Sequence, residues 1–336
     1  MSATAGPQRP TRPDTREHPL IGAHVSTSGA LEESIARGRR IGAEVIQIFP
    51  SNPRQWRPAP YTAEDLRAYG AALRRARMPL FVHTIYLINL ASPDPALRQK
   101  SAVSLADALH FGALTGAAGV VTHIGSHRGD GFVVGAERVA RSLEETYRIL
   151  LARLDAAAPS AHPAPEVPEL LLESSAGGGD SLGRDIAELG RLLQITPGST
   201  GVCLDTAHLY AAGYPLHTEE GVDRLHHELG EASCLHCVGL VHLNDSKSAL
   251  GSRSDRHENL WDGLFGRDGL RGVMASPYLA RAPFVLEVPG VDGHGPDRRN
   301  IRRARILRRE ASALRGEASG LEGGTSALRR SHGDVG

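Results

Sequence analysis

The chain has 336 residues, 38 Lys+Arg against 38 Asp+Glu, 16 His, 3 Cys and no net charge. No apolar run approaches the roughly 18 residues of a membrane-spanning helix, and three scattered cysteines make no disulfide framework. Zero net charge excludes a protein that coats nucleic acid by bulk charge alone, while leaving room for a local basic groove.

Residues 1–19 are rich in Pro, Thr and Arg, have no apolar period, and read as a disordered tail. They also lack the apolar segment of a secretory leader, so the expected location is cytoplasmic. Beyond them, short apolar runs have the length of buried strands: IGAHV (21–25), EVIQIF (44–49), PLFVHT (79–84), GVVTHI (119–124), ELLLES (169–174), GVCLDT (201–206), GLVHLN (239–244) and PFVLEV (283–288). Between them LEESIARGRRI (31–41), TAEDLRAYGAALRRA (62–76) and GAERVARSLEETYRILLARL (135–154) have the composition and period of amphipathic helices. A proline-rich stretch at 158–169 reads as a surface loop. Seven arginines between Arg298 and Arg309 read as the solvated face of a last helix, and residues 318–336 read as a second disordered tail. Eight strands alternating with helices over 20–317 predict the α/β class and a single-domain (β/α)8 barrel. A doubly wound open sheet lacks support, because no G-x-G-x-x-G follows the first run.

Strands buried on both faces should be apolar throughout. Seven of these eight end in an imidazole or a carboxylate: His24, His83, His123, Glu173, Asp205 with His208, His242 and Glu287. A lone strand-end His is ordinarily a hydrogen-bonded packing residue. Seven such ends on one barrel face are a different matter. Converging imidazoles and carboxylates must balance their charge and fill their lone pairs, and a divalent metal does both. Asp255 and His257 stand two apart on an extended segment, so they share a side. Mixed His/Asp/Glu ligation suits Zn2+ or Mn2+. The C-x2-C pair Cys234 and Cys237 has no second pair and reads as incidental, and GDSLG (179–183) does not fit a serine nucleophile motif.

The segments IGAHVSTSGAL, FPSNPRQW, HTIYLINLASP, THIGSH, LLESSAGGG, GVCLDTAHLYAAGY, HLNDSKSALGSRSDRHENL and LEVPGVDGHGPD are similar to those of the endonuclease IV family, from about Ile21 to Asn300. That family consists of zinc-dependent apurinic/apyrimidinic endonucleases on a (β/α)8 barrel. The resemblance implies three Zn2+ per chain, one site of which Mn2+ can occupy. It assigns His83, His123 and Glu173 to the first metal. Glu173 as a bridging carboxylate, Asp205, His242 and Glu287 hold the second. His208, Asp255 and His257 hold the third. His24 borders the cluster without being a ligand.

The same resemblance makes Arg54 and Tyr86 DNA-contacting residues, and the partner double-stranded DNA with abasic sites, met by a monomer with no membrane association. The implied reaction is hydrolysis of the phosphodiester 5′ to the abasic site, leaving a 3′-hydroxyl and a 5′-deoxyribose phosphate, in base excision repair. Glu287 is the candidate to orient or deprotonate the attacking water, and the bridging Glu173 is the second catalytic candidate. Two departures stand out. Pro53 replaces a polar residue in the DNA loop. Trp261 stands where many members have a glycine, a position that suits a turn with positive φ. Two alternatives remain open at this point: a metal-dependent sugar isomerase or epimerase on the same barrel, and an abasic-site binding protein impaired in turnover, which Trp261 motivates.

Overall fold

A computed structural model of the chain describes residues 18–157 and 165–330, with side chains up to Arg315. Residues 1–17, most of the proline-rich loop and residues 331–336 lie outside the described part. The elements run in chain order as β1 (Ile21–His24), α1 (Glu32–Ile41), β2 (Ile46–Ile48), α2 (Ala63–Ala76), β3 (Leu80–His83), α3 (Pro95–Thr115), β4 (Gly119–Thr122) and α4 (Phe132–Ala157). They continue as β5 (Glu169–Glu173), α5 (Ile186–Ile195), β6 (Thr200–Asp205), α6 (Thr206–Ala212), α7 (Glu219–Glu231), β7 (Val238–His242), β8 (Asp245–Ser246), β9 (His257–Glu258), α8 (Gly266–Ala275), β10 (Phe284–Leu286) and α9 (Arg298–Arg330).

Eight strands close a parallel barrel in the order β1-β10-β7-β6-β5-β4-β3-β2, and β8 and β9 form a separate antiparallel hairpin. This is the (β/α)8 architecture that the strand count predicts. Side chains alternate across each strand. One set points inward and fills the barrel with a dry layer of Val45, Phe81, Val121, Leu171, Cys203, Leu240 and Val285. The other set, including Ile46, Leu80, Val82, Val120, Leu170 and Leu172, packs outward against the helices in the larger core. Burying each Val, Leu or Phe contributes about 1.5–3 kcal/mol against the entropy of ordering the chain.

Helix ends follow local chemistry. Thr62 caps α2 in a reciprocal capping box with Asp65, Asp94 caps α3 just ahead of Pro95, and Asp185 caps α5. Each such cap contributes about 1 kcal/mol. The last helix closes the barrel onto its beginning. Arg308 grips Glu44 with two hydrogen bonds of 2.7 and 3.1 Å, and Glu44 also accepts the Ile21 backbone N–H at 2.9 Å.

The arginine run is therefore only partly solvated. Arg298 donates to the Arg40 carbonyl, Arg305 to the Gly42 carbonyl, and Arg303 to the Leu260 carbonyl and Asp262. α9 also carries on past Ala318, where the composition suggests a tail, to Arg330. Among the described residues no helix is long and apolar enough to cross a membrane.

Candidate metal centre

The period of the strands builds the site. Two residues beyond each member of the dry inner layer, toward the strand's C-terminal end, the next inward side chain is polar. Phe81 is followed by His83, Val121 by His123, Leu171 by Glu173, Cys203 by Asp205, Leu240 by His242 and Val285 by Glu287. Val45 is followed in the same way by Gln47, and at β1 Gly22 is followed by His24. All eight strands thus place a polar group on one ring above the core. Gln47 is the member that the strand-end imidazoles and carboxylates do not reveal. The signal that finds it is this i+2 step from Val45, in a strand that is otherwise apolar.

The ring, joined by His208 of α6 and His257 of β9, forms three groups whose ligand atoms lie within 4.8 Å of one another: His83, His123 and Glu173; Glu173, Asp205, His242 and Glu287; and Asp205, His208 and His257. Glu173 joins the first two. Its Oε2 lies 3.1 Å from His83 Nε2 and 3.5 Å from His123 Nε2, while its Oε1 lies 2.9 Å from His242 Nδ1. His242 Nδ1 is also 3.3 Å from Glu287 Oε2 and 3.8 Å from Asp205 Oδ2. Asp255 sits between the two remaining imidazoles, 3.1 Å from His208 Nε2 and 3.2 Å from His257 Nε2. The structure therefore gathers every residue that the resemblance assigned to a metal.

Two observations test whether these groups fit metal ions. First, a tetrahedral ion with ligand distances of about 2.0–2.1 Å separates its ligand atoms by roughly 3.3 Å, and the spacings above scatter around that value. The Nε2 atoms of His208 and His257 are buried without a hydrogen bond, although Asp255 oxygens lie close by.

Second, the opposite ring nitrogens are held by oxygen. His83 Nδ1 donates to the Thr84 carbonyl at 2.8 Å, His208 Nδ1 to the Ser174 carbonyl at 2.8 Å, and His242 Nε2 to Gln47 Oε1 at 3.0 Å. Such outer partners fix the tautomer and aim the free lone pair inward. Asp205 is fixed similarly, with Asn244 Nδ2 donating to its Oδ2 at 2.7 Å and the His208 backbone N–H to its Oδ1 at 2.9 Å.

The electrostatics agree. Burial pushes the Glu173 carboxyl up, but the His123 and His242 imidazoles outweigh it and hold the group well below its usual range. Burial also opposes the charged forms of His208 and His257. Asp205 and Asp255 override it and raise both, His257 to about 9. Buried carboxylates on this scale demand positive charge nearby.

Tyr86 and the Arg54 loop lie at the edge of the cluster. Tyr86 is 54% exposed, with its ring edge-on to Phe49 at 5.2 Å between centroids and 6.1 Å from His123. Its backbone N–H donates to the Pro53 carbonyl at 2.9 Å, which ties the Arg54 loop to the Tyr86 loop. His24 Nδ1 lies 3.2 Å from Glu287 Oε1 and its ring packs on Phe49. Trp261 has φ +74°, the left-handed conformation that its glycine-like position suggested.

The profile of a family described as xylose isomerase-like TIM barrel matches residues 35–315. The probable endonuclease 4 of Nitratidesulfovibrio vulgaris (strain Hildenborough) is 37% identical over 293 residues, covering 87% of this chain and 99% of that one. The crystal structure of endonuclease IV from Thermus thermophilus superposes with a TM-score of 0.73 at 34% identity, over 86% of this chain and 98% of that one. A D-tagatose 3-epimerase-like protein superposes with a TM-score of 0.63 at 15% identity, over 89% and 99% of the two chains, and that likeness concerns the fold alone. The identity and nearly full-length coverage establish that the chain belongs to the endonuclease IV family.

Proposed function

We propose that this protein is a zinc-dependent endonuclease that cuts duplex DNA 5′ to abasic sites, leaving a 3′-hydroxyl and a 5′-deoxyribose phosphate, in base excision repair. The observation that carries this reading is Glu173, whose two carboxylate oxygens face separate ligand groups across a buried ring of imidazoles and carboxylates. When bound, zinc ions would supply Lewis-acid activation of water and neutralise charge on the phosphodiester. His83, His123 and Glu173 would hold one ion, Glu173, Asp205, His242 and Glu287 a second, and His208, Asp255 and His257 a third.

The chain's own groups define the other steps. Glu287 Oε2 faces the cluster, while Oε1 is held by Gln47 at 2.6 Å and lies 3.2 Å from His24. Glu287 is thereby poised to orient the attacking water and accept its proton. An abasic nucleotide has lost its base's stacking and pairing, so it costs less to extrude than an intact one. Tyr86 and Arg54 on the linked rim loops would fill the gap that it leaves.

Protein purified in zinc should carry about three ions per chain and nick a duplex with one tetrahydrofuran abasic analogue on its 5′ side. Zinc-replete protein that leaves this duplex intact would overturn the reading. A content of one or two ions would favour the sugar-isomerase class instead.

A further inference from the structure

We propose that Gln47 is a positioning residue that sets both the metal-facing tautomer of His242 and the orientation of Glu287. The inference rests on the metal-dependent nuclease reading above and deepens it. Gln47 is fully buried in β2. A buried amide is costly unless it is hydrogen-bonded, and here both the nitrogen and the oxygen have partners. Its Oε1 accepts from His242 Nε2 at 3.0 Å. Its Nε2 donates to Glu287 Oε1 at 2.6 Å and faces His24 Nδ1 at 3.1 Å.

An amide oxygen can only accept, so His242 Nε2 keeps its proton, and the neutral imidazole that a metal requires has its lone pair on Nδ1. Nδ1 is the nitrogen that faces Glu173, Asp205 and Glu287. An amide nitrogen can only donate, so one oxygen of Glu287 is fixed and the other turns toward His242. One side chain therefore dictates the state of two groups on β7 and β10, reaching them from β2 across the barrel.

The fold explains that reach. His24 and Gln47 are register partners on adjacent strands. One step below, a Cβ on Gly22 would stand 1.8 Å from the Val45 carbonyl oxygen, so only glycine lets β1 and β2 approach this closely.

Two variants separate the two roles. Gln47→Met keeps the volume and loses both hydrogen-bonding functions. Gln47→Glu keeps an acceptor for His242 but places a carboxylate against Glu287. Three measurements are needed: zinc transfer to a chromophoric chelator, kcat and KM on the abasic duplex, and the melting temperature of metal-stripped protein.

For Gln47→Met we expect zinc to leave the second site about 10–100-fold faster and kcat to fall by a similar factor, with KM unchanged. Gln47→Glu should recover zinc retention while kcat stays low. Wild-type zinc retention in Gln47→Met overturns the proposal. Equal losses in both variants, in step with a lower melting temperature of the stripped protein, also overturn it by assigning Gln47 to packing. The chelator readout requires no cleavage, so a failure of the nuclease reading would be seen separately, in the wild-type protein.

Discussion

The buried Asp245 carboxylate accepts the Trp261 backbone N–H at 3.0 Å and holds that residue at φ +74°. The same carboxylate accepts the N–H groups of Gly263, Phe265 and Gly266 at 3.1–3.2 Å, and of Ser246 at 2.8 Å. A single acidic side chain thus organises the whole turn that follows His257. A left-handed conformation costs a residue with a Cβ about 1–2 kcal/mol. The turn imposes it on Trp261, and the indole recovers part of that by lying against the Arg267 and Arg303 guanidinium groups, 5.0 and 5.1 Å from its ring centre.

Replacing Trp261 with Gly should therefore not act as a simple release of strain. The backbone relaxes by about 1 kcal/mol, but two cation–π contacts worth about 0.5–1 kcal/mol each and the half-buried ring surface are lost. We expect Trp261→Gly to lower stability by about 1 kcal/mol, with zinc content unchanged because no ligand is touched. Urea unfolding and metal analysis check this. A variant more stable than the wild type would show that strain dominates.

Asp245→Asn keeps the shape but turns an NH2 group toward backbone N–H donors. Part of the set loses its acceptor, at about 1–3 kcal/mol. The consequence should reach the metals, since Asp245 pairs with Glu258 and Ser246 with His257 in the β8–β9 hairpin. Loss of zinc from the site of His208, Asp255 and His257, with the other ions retained, is the expected result. Metal analysis that finds the full complement would limit Asp245 to loop stability.

The Tyr86 ring is mostly exposed and rests on Phe49, so its removal disturbs little of the core. Tyr86→Ala should weaken binding to the abasic duplex by about 1–3 kcal/mol, the range for aromatic groups stacking on bases. Zinc content should not change. Fluorescence anisotropy with abasic and intact duplexes measures the effect. Equal weakening toward both would exclude a role in recognising the lesion.

The sequence disclosed the barrel because parallel strands buried on both faces are written as uninterrupted apolar runs, and the ring of polar ends stands out against them. Gln47 escaped for two physical reasons. It cannot ionise, and Ile48 and Phe49 follow it, so β2 looks apolar to its end. Only the inward alternation from Val45 reveals it. The hairpin of β8 and β9 has two residues per strand, too few for any period. The arginines of α9 looked solvated because their partners lie far away in sequence, Arg308 on Glu44 and Arg303 on Asp262. A charge pattern reports its own helix face and not the elements packed against it.

The same long-range carboxylates govern how the metal-stripped site responds to pH. Asp205 and Asp255 raise the imidazoles of His208 and His257 above their ordinary 6.5, His257 to about 9. The shift favours a protonated His257 at pH 7 in stripped protein, and His208 is displaced in the same direction. A raised folded-state pKa contributes stability that is complete below the unfolded value and lost as pH rises through the folded one. For His257 that window runs from about 6.5 to about 9, so stripped protein should be less stable at the alkaline end. Zinc binding runs the other way. It needs neutral imidazoles and must displace these protons, so affinity should weaken as pH falls below about 9. Calorimetric titration with zinc at pH 7, in two buffers of different ionisation enthalpy, should report net proton release. Uptake without proton release would mean that the imidazoles are already neutral, and that the carboxylates do not hold them charged.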